Sequence, residues 1–195
     1  MVKREKVAKG NSPSAVSLVI PSLYLGPVSA ASSQAFLSSA SITHVLSVGA
    51  SPTKPVEGIT YNRISITDSP SSSITKVCDT ACDIIDEALK SRNGAGKILV
   101  HCSAGISRSP MVVAAYLIRR RNMSLREALR QIVVVRPQVS PNSGFWRQLK
   151  ELELEVRGEV SLDVDELPKR EKDRLALLAP PQPAESAAAV VEECS

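Results

Sequence analysis

Aromatic residues are scarce in this chain. Its 195 residues include one Trp, three Tyr and two Phe, so a core has to rest on Val, Ile, Leu and Ala. The hydrophobic fraction, 43 %, is that of an ordinary globular domain all the same. No apolar run approaches the roughly 20 residues that cross a bilayer, and the opening Met-Val-Lys-Arg-Glu-Lys lacks the apolar stretch of a secretory leader. Val2 excludes N-myristoylation, and Cys194 is penultimate, whereas a prenylation box puts its Cys fourth from the end. No membrane anchor is therefore expected, and the expected compartment is the cytoplasm, the nucleus or both. Only four cysteines occur, at 78, 82, 102 and 194. They make no disulfide framework at this length. Cys78 and Cys82 share a helical face, but no His or further Cys follows at metal-ligand spacing, so they read as buried helix cysteines. Strong charge of one sign is missing too. The net charge of +4 is mild and does not single out nucleic acid as a partner.

What is present divides into three parts. Residues 1–14 are polar and basic without periodicity and are expected to be a disordered tail. Residues 15–157 alternate strand and helix signals. Ser17–Gly26, broken by Pro21 and Gly26, reads as edge strands and turns. Ser29–Ala40 reads as one helix facing inward with Ala35, Phe36 and Leu37. Ile42–Gly49 and Ile59–Ile66 read as strands, Asp68–Ser73 as a loop, and Ile74–Ser91 as a helix stopped at Asn93–Gly96. Lys97–His101 is a short apolar strand and Arg108–Arg121 a helix. Ser124 with Glu127 forms a capping box for the next helix, which ends before Pro137. Asn142–Arg157 is a last amphipathic helix. This order argues an α/β domain with a central, mostly parallel sheet flanked by helices. From 158 to 195, Pro and Ala rise and large apolar residues thin out, which reads as a disordered tail, helical at most weakly over Leu162–Leu178.

The chemistry concentrates in Cys102-Ser103-Ala104-Gly105-Ile106-Ser107-Arg108, between a strand and a helix. A short loop opening a helix can aim its backbone N–H groups inward as an anion nest, and the helix dipole adds positive potential. Small side chains at 103, 104, 105 and 107 suit close approach of that backbone. A free thiol has a pKa of about 8.5, and a helix N-terminus beside a cation lowers it toward the thiolate. The planar guanidinium of Arg108 matches two equatorial oxygens of a transferring phosphoryl group. His44, within a strand, reads as a core residue. Arg119-Arg120-Arg121 reads as favourable charge at a helix C-terminus, the alternative being a dock for acidic segments.

His101-Cys102 through Arg108-Ser109 matches the HC-x5-R-[ST] signature of the protein tyrosine phosphatase superfamily. The stretch from Val16 to Arg157, with Pro21–Gly26, Ala115–Ile118, Arg136-Pro137 and Pro141–Trp146, resembles a small, stand-alone dual-specificity phosphatase domain. The resemblance implies a protein tyrosine phosphatase-like fold and hydrolysis of phosphotyrosine, with phosphoserine and phosphothreonine, through a phosphocysteine intermediate and without metal or other cofactor. It implies phosphoprotein partners, and it leaves the oligomeric state open. Cys102 would be the nucleophile and Arg108 the phosphate clamp. Asp68 would be the general acid, although Asp before Ser-Pro is also an ordinary turn residue. Asp79, Asp83 and Asp86 compete for that role, but they lie within a helix, where a solvated face is their expected duty. Ser109 would bond the departing thiolate, His101 would orient the loop, and Asn142 would brace it from behind. A lipid or RNA phosphatase and a catalytically silent phospho-binding scaffold are the alternatives on the same fold. The uncharged loop interior argues against inositol lipids, whose phosphatases carry lysines there.

Overall fold

A computed structural model describes residues 16–180. The basic segment 1–14 lies outside the described residues, as does the end of the Pro/Ala-rich tail. Five strands form one sheet: β1 (Ser17–Ile20), β2 (Leu23–Pro27), β3 (His44–Val48), β4 (Thr60–Ile64) and β5 (Ile98–Cys102), in the spatial order β1-β2-β5-β3-β4. Only the β1–β2 pair is antiparallel; the other three pairings are parallel. The central β5 is buried along its whole length, as the continuous apolar run Ile98-Leu99-Val100 requires of a strand covered on both faces. Ser17–Gly26 reads as edge structure in the sequence, but β2 is paired on both sides. Pro27 sits at its last position, where a missing N–H costs the ladder least.

Helices α1 (Val28–Ala31) and α2 (Gln34–Ser39) cover one face. They replace the single helix read over Ser29–Ala40. Ser32 closes the first and Ser33 caps the second, its hydroxyl accepting from the Phe36 N–H, and only Leu37 of the three expected core residues is buried. Helices α3 (Thr75–Gly94), α4 (Arg108–Arg121), α5 (Leu125–Val135) and α6 (Ser143–Arg157) cover the other face. The main core lies there, between Leu25, Leu46, Val48 and Val100 of the sheet and Ile85, Val112, Leu129 and Phe145 of the helices. From Ser109 to Ile118, α4 is buried all round, so its pattern is that of an interior helix and not of a single stripe. Ser124 and Glu127 form the capping box of α5. Cys78 and Cys82 are buried in α3.

Packing adds to the reading of two charged runs and corrects the extent of the domain. Asp79 and Asp83 keep about half or more of their side chains in solvent, as expected, but with Asp86 they pair with the arginine run, which is thereby not the open dock offered as the alternative. Arg119 pairs with Asp79, Arg120 with Asp83 and Asp86, and Arg121 lies over the Tyr116 ring at 5.8 Å. The folded unit also does not stop at Arg157. Leu162, Leu167 and Leu178 enter the main core, with a short helix α7 (Glu171–Leu177) between the last two. Buried Glu153 accepts from the N–H groups of Leu125 and Ser161, and Arg174 donates to the carbonyls of Pro137, Val139 and Pro168. Three widely spaced leucines make no periodic signal, yet each removes a whole side chain from water, and the polar groups buried with them find partners.

Candidate active site

The parallel strands all point their C-terminal ends at one edge, where α/β sheets bind ligands. β5 delivers His101 and Cys102 there, the loop 103–107 follows, and α4 begins at Arg108. The loop's backbone is turned so that its carbonyls face away from its centre. The Cys102 carbonyl lies 3.3 Å from Nδ1 of His101. The Ser103 carbonyl accepts from the Val28 N–H at 3.1 Å and that of Ile106 from the Ser140 N–H at 2.8 Å. Arg136, from the end of α5, holds the two between: its Nε donates to the Gly105 carbonyl at 2.7 Å and an Nη to that of Ala104 at 2.9 Å. Gly105 adopts a φ of +69°, and a Cβ there would stand 2.6 Å from the Gly26 carbonyl oxygen, so only glycine fits. With the carbonyls bonded outward, the N–H groups of one loop share a concave centre around Sγ of Cys102, which is the electrostatics an anion requires.

The thiol itself is buried. Burial is the largest single influence on its ionisation and opposes it. Hydrogen bonds to sulfur outweigh burial, and the Cys102 pKa is lowered overall. Ser109 Oγ–H and Gly105 N–H each reach Sγ at 3.2 Å, and the N–H groups of Ser109 and Ile106 add to them. The help expected from the Arg108 cation is thus supplied by dipoles. His101 is wholly buried, and desolvation, partly offset by its bond to the Cys102 carbonyl, lowers its pKa. A carbonyl can only accept, so Nδ1 carries the proton, and Nε2 accepts from Ser47 Oγ–H at 2.9 Å. His101 therefore orients the loop as a neutral ring.

Asp68 comes from the loop after β4 and meets the 103–107 loop. Its Oδ1 accepts from Ser107 Oγ–H at 2.7 Å and from Nδ2 of Asn142 at 2.8 Å, and its Oδ2 lies 3.8 Å from Nε of Arg108. Arg108 donates from Nη2 to Ser103 Oγ at 2.8 Å. Asn142 caps α6 through the Phe145 N–H and gives its own N–H to Ser107 Oγ. It thus ties the Asp68 loop to the 103–107 loop, while bracing from behind falls to Arg136. The seat is close: a Cβ on Gly144, in the first turn of α6, would stand 2.0 Å from the Pro70 carbonyl oxygen. Arg136 and Gly49 are the contributors that sequence reasoning missed. A Cβ on Gly49 would meet Nη1 of Arg108 at 2.3 Å, so this glycine makes room for the guanidinium. Its place just after an apolar strand was the one available signal. Among the described residues, no group of three or more His, Cys, Asp or Glu is arranged to hold a metal ion, and no helix is long and apolar enough to cross a membrane.

The family model described as "Dual specificity phosphatase, catalytic domain" matches residues 23–155. The chain is 42 % identical over 139 residues to dual specificity protein phosphatase 1 of Arabidopsis thaliana, covering 70 % of this chain and 68 % of that one. It is 34 % identical over 175 residues to human dual specificity protein phosphatase 18, covering 87 % of this chain and 92 % of the relative. The crystal structure of human DUSP28 superposes with a TM-score of 0.66 at 31 % identity, covering 73 % of this chain and 95 % of that one.

Proposed function

The chain belongs to the dual specificity phosphatase family, and on that premise we propose that it removes phosphate from phosphotyrosine and from phosphoserine or phosphothreonine in proteins, with Cys102 as the nucleophile of a two-step displacement. The thiolate of Cys102 attacks phosphorus and the bond from phosphorus to the side-chain oxygen breaks. The carboxylic acid of Asp68 gives its proton to that leaving oxygen. Water then attacks the phosphocysteine, Asp68 as carboxylate takes the water's proton, and inorganic phosphate leaves. Sulfur departs as thiolate, and the Ser109 hydroxyl stabilises it. Throughout, the loop N–H groups and the Arg108 guanidinium neutralise charge on the equatorial oxygens.

The observation that carries this reading is the Cys102 thiol, buried yet lowered in pKa, with donors from Ser109 and Gly105 on its sulfur. The uncharged side chains at 103–107 support a protein substrate over a polyphosphorylated lipid. The test is hydrolysis of an aryl phosphate in the presence of a chelator, with inhibition by vanadate. Cys102→Ser should abolish turnover and still bind a phosphotyrosyl peptide. Turnover surviving in Cys102→Ser refutes the assignment.

A further inference from the structure

The turn between α5 and α6 holds the phosphate loop open. Arg136 takes the carbonyls of Ala104 and Gly105, the Ser140 N–H takes that of Ile106, and the Asn142 N–H reaches Ser107 Oγ. In a trans peptide the C=O and the following N–H point opposite ways. Fixing the Gly105 carbonyl outward therefore aims the Ile106 N–H inward, where it is among the donors to Sγ of Cys102. The turn that does this is itself held from elsewhere. Nη1 of Arg174 lies 2.6 Å from the Pro137 carbonyl and 2.7 Å from that of Val139. Nε of the same guanidinium donates to the Pro168 carbonyl, in the segment that leads into α7. Arg174 is buried, and it lies beyond the residues that match the family's catalytic domain. An apolar side chain would fill its place without the desolvation cost of a cation. What the guanidinium adds is a fixed position for two carbonyls.

We propose that Arg174 is a positioning residue for the reaction: its guanidinium sets the Pro137–Val139 turn, and the turn sets the inward N–H groups that meet the phosphoryl oxygens and the thiolate. This rests on the function proposed above and deepens it, since α7 and the chemistry become coupled through one side chain. Arg174 touches neither Cys102 nor its loop. Its effect runs in two steps, from the carbonyls of Pro137 and Val139 to Arg136 and Ser140, and from those to the carbonyls of residues 104–106. The relay is stiff enough to carry a displacement. Pro137 has a fixed φ, the Val139 N–H donates to the Arg136 carbonyl at 3.2 Å, and the Val139 side chain is wholly buried. A shift of Val139 moves its neighbour Ser140, and with it the bond to Ile106. Undocking α7 would thus cost activity before the catalytic domain itself unfolds.

The test compares three variants, each measured well below its denaturation midpoint. Arg174→Met keeps an apolar stem and removes every donor. Arg174→Lys keeps one nitrogen, which can serve the two carbonyls that Nη1 serves. Leu162→Ala opens a cavity in the core beneath the same segment and leaves Arg174 in place. Arg174→Met should weaken binding of a phosphotyrosyl peptide, titrated in a Cys102→Ser background, by about 3- to 30-fold, the range of coupling carried through packed and bonded groups. It should also move the acidic limb of kcat/KM on an aryl phosphate to higher pH, because the Ile106 N–H is no longer aimed at the thiolate. Arg174→Lys should fall between Arg174→Met and wild type. Leu162→Ala should lower the midpoint and keep the wild-type affinity and limb. Wild-type affinity and limb in Arg174→Met overturn the proposal whatever its stability, and Arg174→Gln carries the same two readouts should Arg174→Met not fold. An equal loss in Leu162→Ala overturns it too, since any loosening of the segment would then act alike, as does Arg174→Lys no better than Arg174→Met. If the wild type fails to hydrolyse aryl phosphate the phosphatase assignment falls, and the peptide titration still reports on the relay.

Discussion

Arg136 carries Gly105: the buried guanidinium donates to the loop glycine's carbonyl at 2.7 Å across 31 positions of sequence. A second donor to Ala104 means that one side chain sets the outward turn of two consecutive peptides. Arg136→Ala should therefore lower stability by roughly 2–5 kcal/mol, because two buried acceptors lose their partner. It should also lower kcat/KM, because the peptides are free to turn. Arg136→Lys should restore little, as one ammonium cannot serve two carbonyls in a fixed fork. Chemical denaturation and steady-state kinetics on both variants check this.

Ser109 and Cys102 form the second coupled pair. The hydroxyl is among the donors that lower the thiol's pKa against the opposing effect of burial. The reactive form is the thiolate, so activity falls as pH drops through that pKa. Removing a donor raises the pKa, and Ser109→Ala should move the acidic limb of the kcat/KM profile to higher pH. Its kcat should fall by about 10- to 100-fold, the worth of one hydrogen bond to a charged leaving group. A limb that stays in place would show that Ser109 leaves the thiolate unaffected.

Asp68→Asn preserves an acceptor for Ser107 and Asn142 but cannot give up a proton. The expected result is a kcat lower by roughly 10²- to 10⁴-fold with little change in folding stability. Loss should be smallest on substrates whose leaving oxygen is already a weak base. Rates on a series of aryl phosphates of graded leaving-group acidity provide the measurement, and equal losses across the series would move the acid elsewhere.

The three described thiols should differ sharply in reactivity. Burial, only partly offset by neighbouring arginines, pushes Cys78 up to about 12 and Cys82 up to about 11. Both remain thiols at neutral pH, whereas Cys102 is shifted the other way. Brief treatment of native protein with iodoacetamide at pH 7, followed by peptide mass spectrometry, should label Cys102 and leave Cys78 and Cys82 unmodified. Vanadate should protect Cys102.

Local patterns carried much of the fold. The β-branched runs at Ile42–Gly49 and Lys97–His101 and the capping box at Ser124 are short-range signals, and the elements they announce are present. The span from Cys102 to Arg108 was legible because a nest, a thiol and a guanidinium must lie within one loop and one helical turn. Arg136 was not legible in its role, since nothing in an arginine before a proline tells which peptide 31 residues away it will hold. Gly49 looks like any strand end until the guanidinium beside it is seen. The docking of Leu162, Leu167 and Leu178 was missed because a segment without periodicity is stabilised by what it covers, and its own sequence does not name that surface.

The near-contact of Gly144 with Pro70 also has a meaning in time. Where a catalytic group rides on a lid, each turnover waits on a closing motion, commonly of microseconds to milliseconds. Here the turn that bears Asp68 rests on the first turn of α6 with no space for one methyl group. With Asp68 as the proposed proton donor, the acid already stands beside the nucleophile's loop, so substrate binding energy need not be consumed in bringing it there. Substrate would then enter a cleft in which Asp68, Arg108 and Cys102 already stand together.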